Sequence, residues 1–508
     1  MKLRVLTVLA AFAALAASQG AFAYRPDATT PDLIVYIGGA SASENAVLNE
    51  IKLHMCTGNI DSFDGVGQKA IFCDMDSVSV TGLSGSLKVL VRKNSSGSGA
   101  GVQPVCQPTA GNQQAFAIFL TGGTAQAPNT ANCTNQGSGN WSCPGSTGQT
   151  VGTELQTPQI GISDVQPTEL LANTSTGCGV NVFPSYEMPM NTPVSLQLRN
   201  ALQEAQGLTV GAEDEPNMPT LSTEVVAAIM TGRLHTWNDV IVPNATNTGT
   251  QGLADRIGAT TTNGYSVNPA VGGNNTRISI CRRSDSSGTF ATQGRRILQT
   301  GCVSGALAAQ APNTALTDGA GPVVPAAQGT SDILEQCLDS FSTTSAYSGR
   351  NGSRWAIGHN SLDRNPFTVG LPTNQTHWRF IKLNGAAPTY VNVANGSYKM
   401  SVTSTIQWLS ISGDTLAIGN ALRADMSGPA LLGTASQAHP FGASGAMALA
   451  EKGYTVSYTP DGAYDTTLPV TPFSHNLGNG LNNCLDAGMP SVLKTVPLQT
   501  SPFGFAAP

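Results

Sequence analysis

A short β-branched run, a loop of small hydroxyl-bearing residues and a stretch with helical spacing follow one another three times in this chain. That unit is accommodated most simply by alternating strands with helices. Arg277 to Cys281 reads as a strand, Arg282 to Gly288 as a loop and Thr289 to Thr300 as a helix. Leu33 to Ile37 reads as a buried strand, Gly38 to Ser43 as a loop and Glu44 to Met55 as a helix with Val47, Ile51 and Met55 on one side; Ser43 sits at its N-cap. Leu87 to Arg92 is a strand that runs into a small-residue loop at 94–101. Further strands are expected at Gln159–Ser163, ending on Asp164, at Trp355–His359, at Trp378–Lys382 and at Tyr398–Leu409, with a helix over 223–234. In the last strand Tyr398, Met400, Val402, Ile406 and Trp408 alternate onto one face. The class is α/β with mainly parallel sheets, and 508 residues exceed one ordinary core, so two lobes are expected.

The loops have a chemistry in common. A helix N-terminus presents unpaired N–H groups and the positive end of the helix dipole, small residues let a ligand approach the backbone, and Ser and Thr add donors. The segment Arg283-Ser284-Asp285-Ser286-Ser287-Gly288-Thr289 is the richest case. Arg283 offers a planar fork of donors, Ser287 and Thr289 offer hydroxyls, Gly288 allows close approach, and Asp285 lies where it can hold the Arg283 guanidinium. The same segment also reads as an ordinary capped helix beside a surface arginine.

Bulk properties limit the partners. Lys2 and Arg4, the apolar run Val5–Ala17 and Ala21-Phe22-Ala23 form an export leader over 1–23, shorter than the roughly 20 residues that span a bilayer. No later stretch is apolar enough to enter a membrane. Only 11% of residues are charged and the net charge is −6, which supplies no basic field for nucleic acid. Ten cysteines in an exported chain read as a disulfide framework. Cys133–Cys143 and Cys56–Cys73 would close short loops, and Cys302–Cys337 is a further expected pair. The six histidines form no metal-ligand spacing, there is no P-loop, and nothing calls for a cofactor. Residues 107–150 and 241–275, rich in Gly, Asn and Thr, read as surface loop insertions.

Several segments, in order, resemble the phosphate-binding proteins of ABC importers, which belong to the type II class of periplasmic binding proteins. Gly39-Ala40-Ser41-Ala42-Ser43 resembles their N-terminal G-A-G-A-T-F, the 94–102 loop their S-S-G-G-V turn, and Gly161-Ile162-Ser163-Asp164 their G-A-S-D. Leu221 to Leu234 through Trp237-Asn238-Asp239 resembles a helix ending in a Trp-Asn-Asp motif. Arg282 to Thr289 resembles R-R-x-D-G-S-G-T, and Trp355-Ala356-Ile357-Gly358 a later A-I-G-Y strand.

The resemblance implies two α/β lobes with a ligand cleft between them: lobe one over 24–195 and 396–508, lobe two over 196–395. Carried over by position, lobe one would bring Ser43, a serine among Ser95, Ser96 and Ser98, and Asp164. Lobe two would bring Arg283, Ser287, Gly288 and Thr289, with Asp285 steadying the arginine. Asp164 would accept a hydrogen bond from a protonated phosphate and disfavour anions without a proton. The chain departs from the family at Glu44, which stands where an apolar ring is usual, and at Ser286, which replaces a glycine. The implied function is an exported binder of phosphate or a similar small oxyanion that delivers it to a membrane permease. The alternative is an exported protein that reuses the fold for adhesion, surface assembly or another ligand. A hydrolase is disfavoured because no nucleophile–base pair or metal cluster stands out.

Overall fold

The computed structural model describes residues 29–65, 67–121, 131–143, 153–170, 181–258, 276–312, 322–325, 327–342, 355–367, 377–471 and 483–484. The leader expected at 1–23 and parts of both expected insertions lie outside them.

Following the chain, β1 (Leu33–Gly39) leads through a tight turn into α1 (Glu44–Glu50), which continues as a π-helical turn to Met55. β2 (Gly58–Gly65), β3 (Gln68–Met75) and β4 (Leu87–Asn94) precede α2 (Ser98–Cys106). Then come β5 (Phe119–Thr121), β6 (Ala131–Gly137), β7 (Asn140–Ser142) and β8 (Ile160–Ser163). β9 (Val182–Asn191) is followed by β10 (Val194–Ser195), α3 (Leu196–Ala205) and α4 (Thr223–Met230). β11 (Ser279–Cys281) leads to α5 (Gly288–Arg296) and α6 (Ser331–Ser342). The last elements needed here are β12 (Ala356–Gly358), β13 (Asn360–Ser361), β14 (Trp378–Arg379) and β15 (Ser401–Gln407).

These strands form two sheets. The large sheet has the order β13-β9-β15-β8-β1-β4-β3-β2-β7-β6-β5, and the small one β11-β12-β10-β14. The fold is α/β and two-lobed, with mixed sheets. The expected parallel pairing is found where it matters: β4, β1 and β8 are adjacent and parallel, as are β11 and β12. Antiparallel ladders flank both groups: β3 pairs with β4, β15 is inserted late in the chain between β8 and β9, and β10 pairs with β12.

Val35, Ile37, Val89, Ile160, Ile162, Val402 and Ile406 are buried to within 1% of complete and form the centre of the large sheet. All seven residues of β15 are buried, so its alternation does not mark a solvent face; helices and loops cover both sides. The small sheet packs on α6 through Cys281, Leu334, Cys337, Leu338 and Trp378. Trp237 is buried edge-on against Trp355 and donates from Nε1 to the Trp355 carbonyl at 3.1 Å, which makes the Trp-Asn-Asp corner a packing feature.

Several expectations are corrected. Residues 107–150 are not a plain loop: β5, β6 and β7 extend the large sheet there, fastened by Cys133–Cys143. Residues 241–275 begin with a hairpin, Ile241–Pro243 on Thr250–Gly252, and a short helix, Leu253–Ile257; 259–275 lie outside the described residues. The 94–101 stretch is loop only as far as Gly97, since α2 starts at Ser98. Cys56–Cys73 forms as expected, but Cys302–Cys337 does not. Cys337 pairs with Cys281, tying α6 to β11, and Cys302 pairs with Cys484. Packing sets which sulfurs meet, and spacing along the chain is a poor guide to that.

Candidate functional site

In an open parallel sheet the carboxyl ends of adjacent strands point to one edge, and that edge is where ligands bind. β4, β1 and β8 end together at Asn94, Gly39 and Ser163, so Ser95, Ser98, Ser43 and Asp164 all issue from one place. β11 and β12 end the same way in the small sheet, releasing the Arg282–Ser287 loop and His359. The two carboxyl edges face each other. The Gly99 N–H donates across to the Ser286 carbonyl at 2.8 Å. A Cβ added at Gly288, the first residue of α5, would meet the Ser98 hydroxyl and lie 2.6 Å from Asp164 Oδ2. Gly288 therefore allows the helix N-terminus to close on the acid.

Asp164 is 2% exposed. Its backbone N–H donates to Ser98 Oγ at 2.9 Å, and Ser98 Oγ donates back to Oδ2 at 3.0 Å. Oδ1 is buried with no hydrogen-bond partner. Burial pushes the carboxyl up to about 6, against the Ser98 bond and the charges of Arg283 and Lys93. Arg283 is 1% exposed. It donates from Nη1 to Ser331 Oγ at 2.8 Å, from Nε to the Gln328 carbonyl at 3.3 Å and from Nη2 to the Gly329 carbonyl at 3.3 Å. Burial lowers it to about 10, opposed by the Asp164 charge. Its backbone N–H donates to His359 Nε2 at 3.2 Å. Burial and the two neighbouring arginines hold His359 well below its ordinary value, so its ring is neutral.

Lys93 is a second buried cation, and sequence reasoning missed it. It is 1% exposed and donates to the carbonyls of Gly39 at 2.8 Å and Ala40 at 3.3 Å and to Ser95 Oγ at 3.2 Å. Burial lowers it to about 8, with Glu44 and Asp164 pulling it back up. The available signal was a lysine at the end of an apolar strand, directly before the serine loop. Tyr186, also missed, is fully buried beside Ser43 and Ser404, and burial raises its hydroxyl.

The expected site residues fare differently. Ser98, Asp164, Gly288 and Arg283 are brought together. Ser43 is buried, but its hydroxyl donates to the Ala40 carbonyl at 2.8 Å and makes no cap bond to α1. Ser95 is buried on Lys93, and Ser96 is exposed and bonded to Asn94. Ser287 caps α5, accepting from the Phe290 N–H at 3.4 Å, and Thr289 is buried in the first turn. Asp285 does not steady Arg283. It is largely exposed and pairs with Arg282, whose guanidinium also lies 4.1 Å above the Phe290 ring. The physical reason is loop geometry: residues three apart in this turn face each other, while Arg283 points inward. Glu44 pairs with Lys69 at 3.5 Å.

Among the described residues no group of three or more His, Cys, Asp or Glu side chains could hold a metal ion, and no helix is long and apolar enough to cross a membrane.

The pH dependence follows from the acid. A carboxyl raised in the folded state contributes stability that is present below its ordinary value of 3.8 and lost as pH rises through about 6. Asp164→Asn is expected to raise the stability of the anion-free protein at pH 7 by roughly 2–3 kcal/mol, at about 1.4 kcal/mol per pKa unit, and to flatten the stability profile between pH 4 and 6. Urea unfolding at a series of pH values measures this; equal slopes for both proteins would refute it.

No family model matches the chain, and no curated protein matches it in sequence. Among solved structures it is similar to a phosphate ABC transporter substrate-binding protein from Clostridium perfringens with bound phosphate, at 12% identity and a TM-score of 0.38, covering 79% of this chain and 97% of that one. It is similar to an ABC-type phosphate transport receptor from Vibrio cholerae, at 11% identity and 0.32, covering 77% and 94%. It is also similar to PstS from Borrelia burgdorferi, at 11% identity and 0.31, covering 80% and 97%.

Proposed function

We propose that the protein is an exported solute-binding protein that holds phosphate or a similar protonated oxyanion between its lobes, for delivery to a membrane permease. The observation that carries this reading is the Asp164 carboxyl, buried beside two cations with one oxygen left without a donor. A buried acceptor in that state favours a ligand that brings a proton. Arg283 and Lys93 offset the negative charge of the anion, and the first N–H groups of α5, unpaired within the helix, favour an oxyanion at its N-terminus. On this reading Ser95, Ser287, Gly288 and Thr289 would contribute to the anion's surroundings, and Ser98, bonded to Asp164, holds the acid in place.

Thermal shift with phosphate, arsenate, sulfate and acetate tests this. Phosphate and arsenate at a hundredfold excess over Kd are expected to stabilise by about 2.7 kcal/mol. Sulfate, fully deprotonated at neutral pH, is expected to stabilise far less. Asp164→Asn is expected to narrow the gap between phosphate and sulfate. No response to any of the four anions would refute the reading and favour a non-transport role for the fold.

A further inference from the structure

Helix α5 carries the small-sheet half of the candidate site, and it is held to the large-sheet lobe at both ends. At its start, Ser286 accepts from the Gly99 N–H, and Gly288 lies against Ser98 and Asp164. At its end, Arg296 donates from Nε and Nη2 to the Lys399 carbonyl at 2.9 and 2.8 Å and from Nη1 to the Asn483 carbonyl at 3.4 Å. Asn483 is fully buried in the other lobe. It donates from its side chain to Glu169 Oε2 at 2.6 Å and from its backbone to Oε1 at 3.2 Å, and it accepts from the Thr403 N–H of β15 at 3.1 Å. The next residue, Cys484, is bonded to Cys302, six residues beyond α5 and 182 residues away in sequence. Arg295 donates to the Thr300 carbonyl at 2.8 Å and so folds this corner of the small-sheet lobe onto the bridge.

We propose that Asn483 and the Cys302–Cys484 disulfide form a strap that fastens α5 to the large-sheet lobe and restricts opening of the cleft. A periplasmic-type hinge would have to carry α5 away from Ser98 and Asp164. With the strap in place that motion pivots at the far end of the helix. A nine-residue helix at 1.5 Å per residue is a lever of only about 13 Å, so the mouth of the site opens narrowly. Cys302 and Cys484 are both half-buried, so a reductant or thiol can reach the bridge and release the strap. This proposal does not depend on which anion the cleft takes.

Amide hydrogen exchange on the ligand-free full chain tests it. The Gly99 N–H bonds across the cleft and so reports lobe separation, while the Leu90 and Val91 amides in β4 report the integrity of the large sheet. Cys302→Ser/Cys484→Ser is expected to speed exchange at Gly99 by about tenfold or more, with β4 unchanged. Unchanged exchange at Gly99 with β4 intact would overturn the strap. Should the double variant lose protection in β4 as well, the intact-bridge variant Asn483→Ala decides. Its loss of the side-chain bonds to Glu169 Oε2 and from the Thr403 N–H is expected to speed Gly99 exchange by about threefold with β4 unchanged, and no change there would also overturn the proposal.

Discussion

Arg283→Ala is expected to destabilise the protein by about 3–5 kcal/mol and to abolish any response to oxyanions. The guanidinium is buried and shares its donors among Gln328, Gly329 and Ser331. Truncation takes a donor from the Gly329 carbonyl and the Ser331 hydroxyl, leaves the Gln328 carbonyl with the Ser284 N–H, opens a cavity and removes a cation that holds the Asp164 carboxyl down. The acid is then expected to rise further above its ordinary range, and the variant should be relatively most stable at low pH. Arg283→Lys restores the charge but not the fork, so stability should recover in part while anion binding stays weak. Denaturant unfolding and anion titration on the three proteins measure this. A loss below about 1 kcal/mol for the alanine variant would mean that the arginine is not the keystone of the small-sheet half.

The second large effect is expected at Gly161. A Cβ there would meet the Gly101 carbonyl oxygen, lie 2.8 Å from the Gly101 carbonyl carbon and lie 3.0 Å from Val105 Cγ2. Two of those atoms are backbone and cannot swing away. α2 packs so closely on β1 and β8 that the contact is glycine on glycine; at Gly39, which also has φ +107°, a Cβ would lie 2.7 Å from Gly101 Cα. Gly161→Ala is therefore expected to cost about 3 kcal/mol and to lift Ser98, the first residue of α2, off Asp164, weakening anion binding as well. Gly85→Ala, where a Cβ meets nothing within 4 Å, is the control and should stay within about 0.5 kcal/mol of the parent. Similar costs at the two positions would sink this account.

Both predictions concern positions that the sequence marked and contacts that it did not. The loops at 38–43, 94–97 and 282–287 were legible because small residues between an apolar run and helical spacing have a local cause. The burial of Asp164 and the placement of Gly288 against it were not legible, since both arise when two edges far apart in the chain are pressed together. Lys93 was not legible because lysines rarely lie fully buried, and two of its three acceptors, the carbonyls of Gly39 and Ala40, are reached only by folding β1 beside β4. The expected Arg283–Asp285 pair failed for a related reason. Nearness in sequence leaves direction open, and the loop turns Arg283 inward while Asp285 stays outside with Arg282.

The sequence by itself determined the α/β class, the location of the strands that feed the site though not their bounds, the two short disulfide loops and the loop carrying Arg283, because each depends on periodicity, turn chemistry or short chain closure. Only the tertiary structure decided the mixed pairing of the large sheet, the partners of Cys281 and Cys302, the raised carboxyl of Asp164 and the fastening of α5 at both ends. Each of these depends on long-range approach and desolvation, which local sequence does not encode.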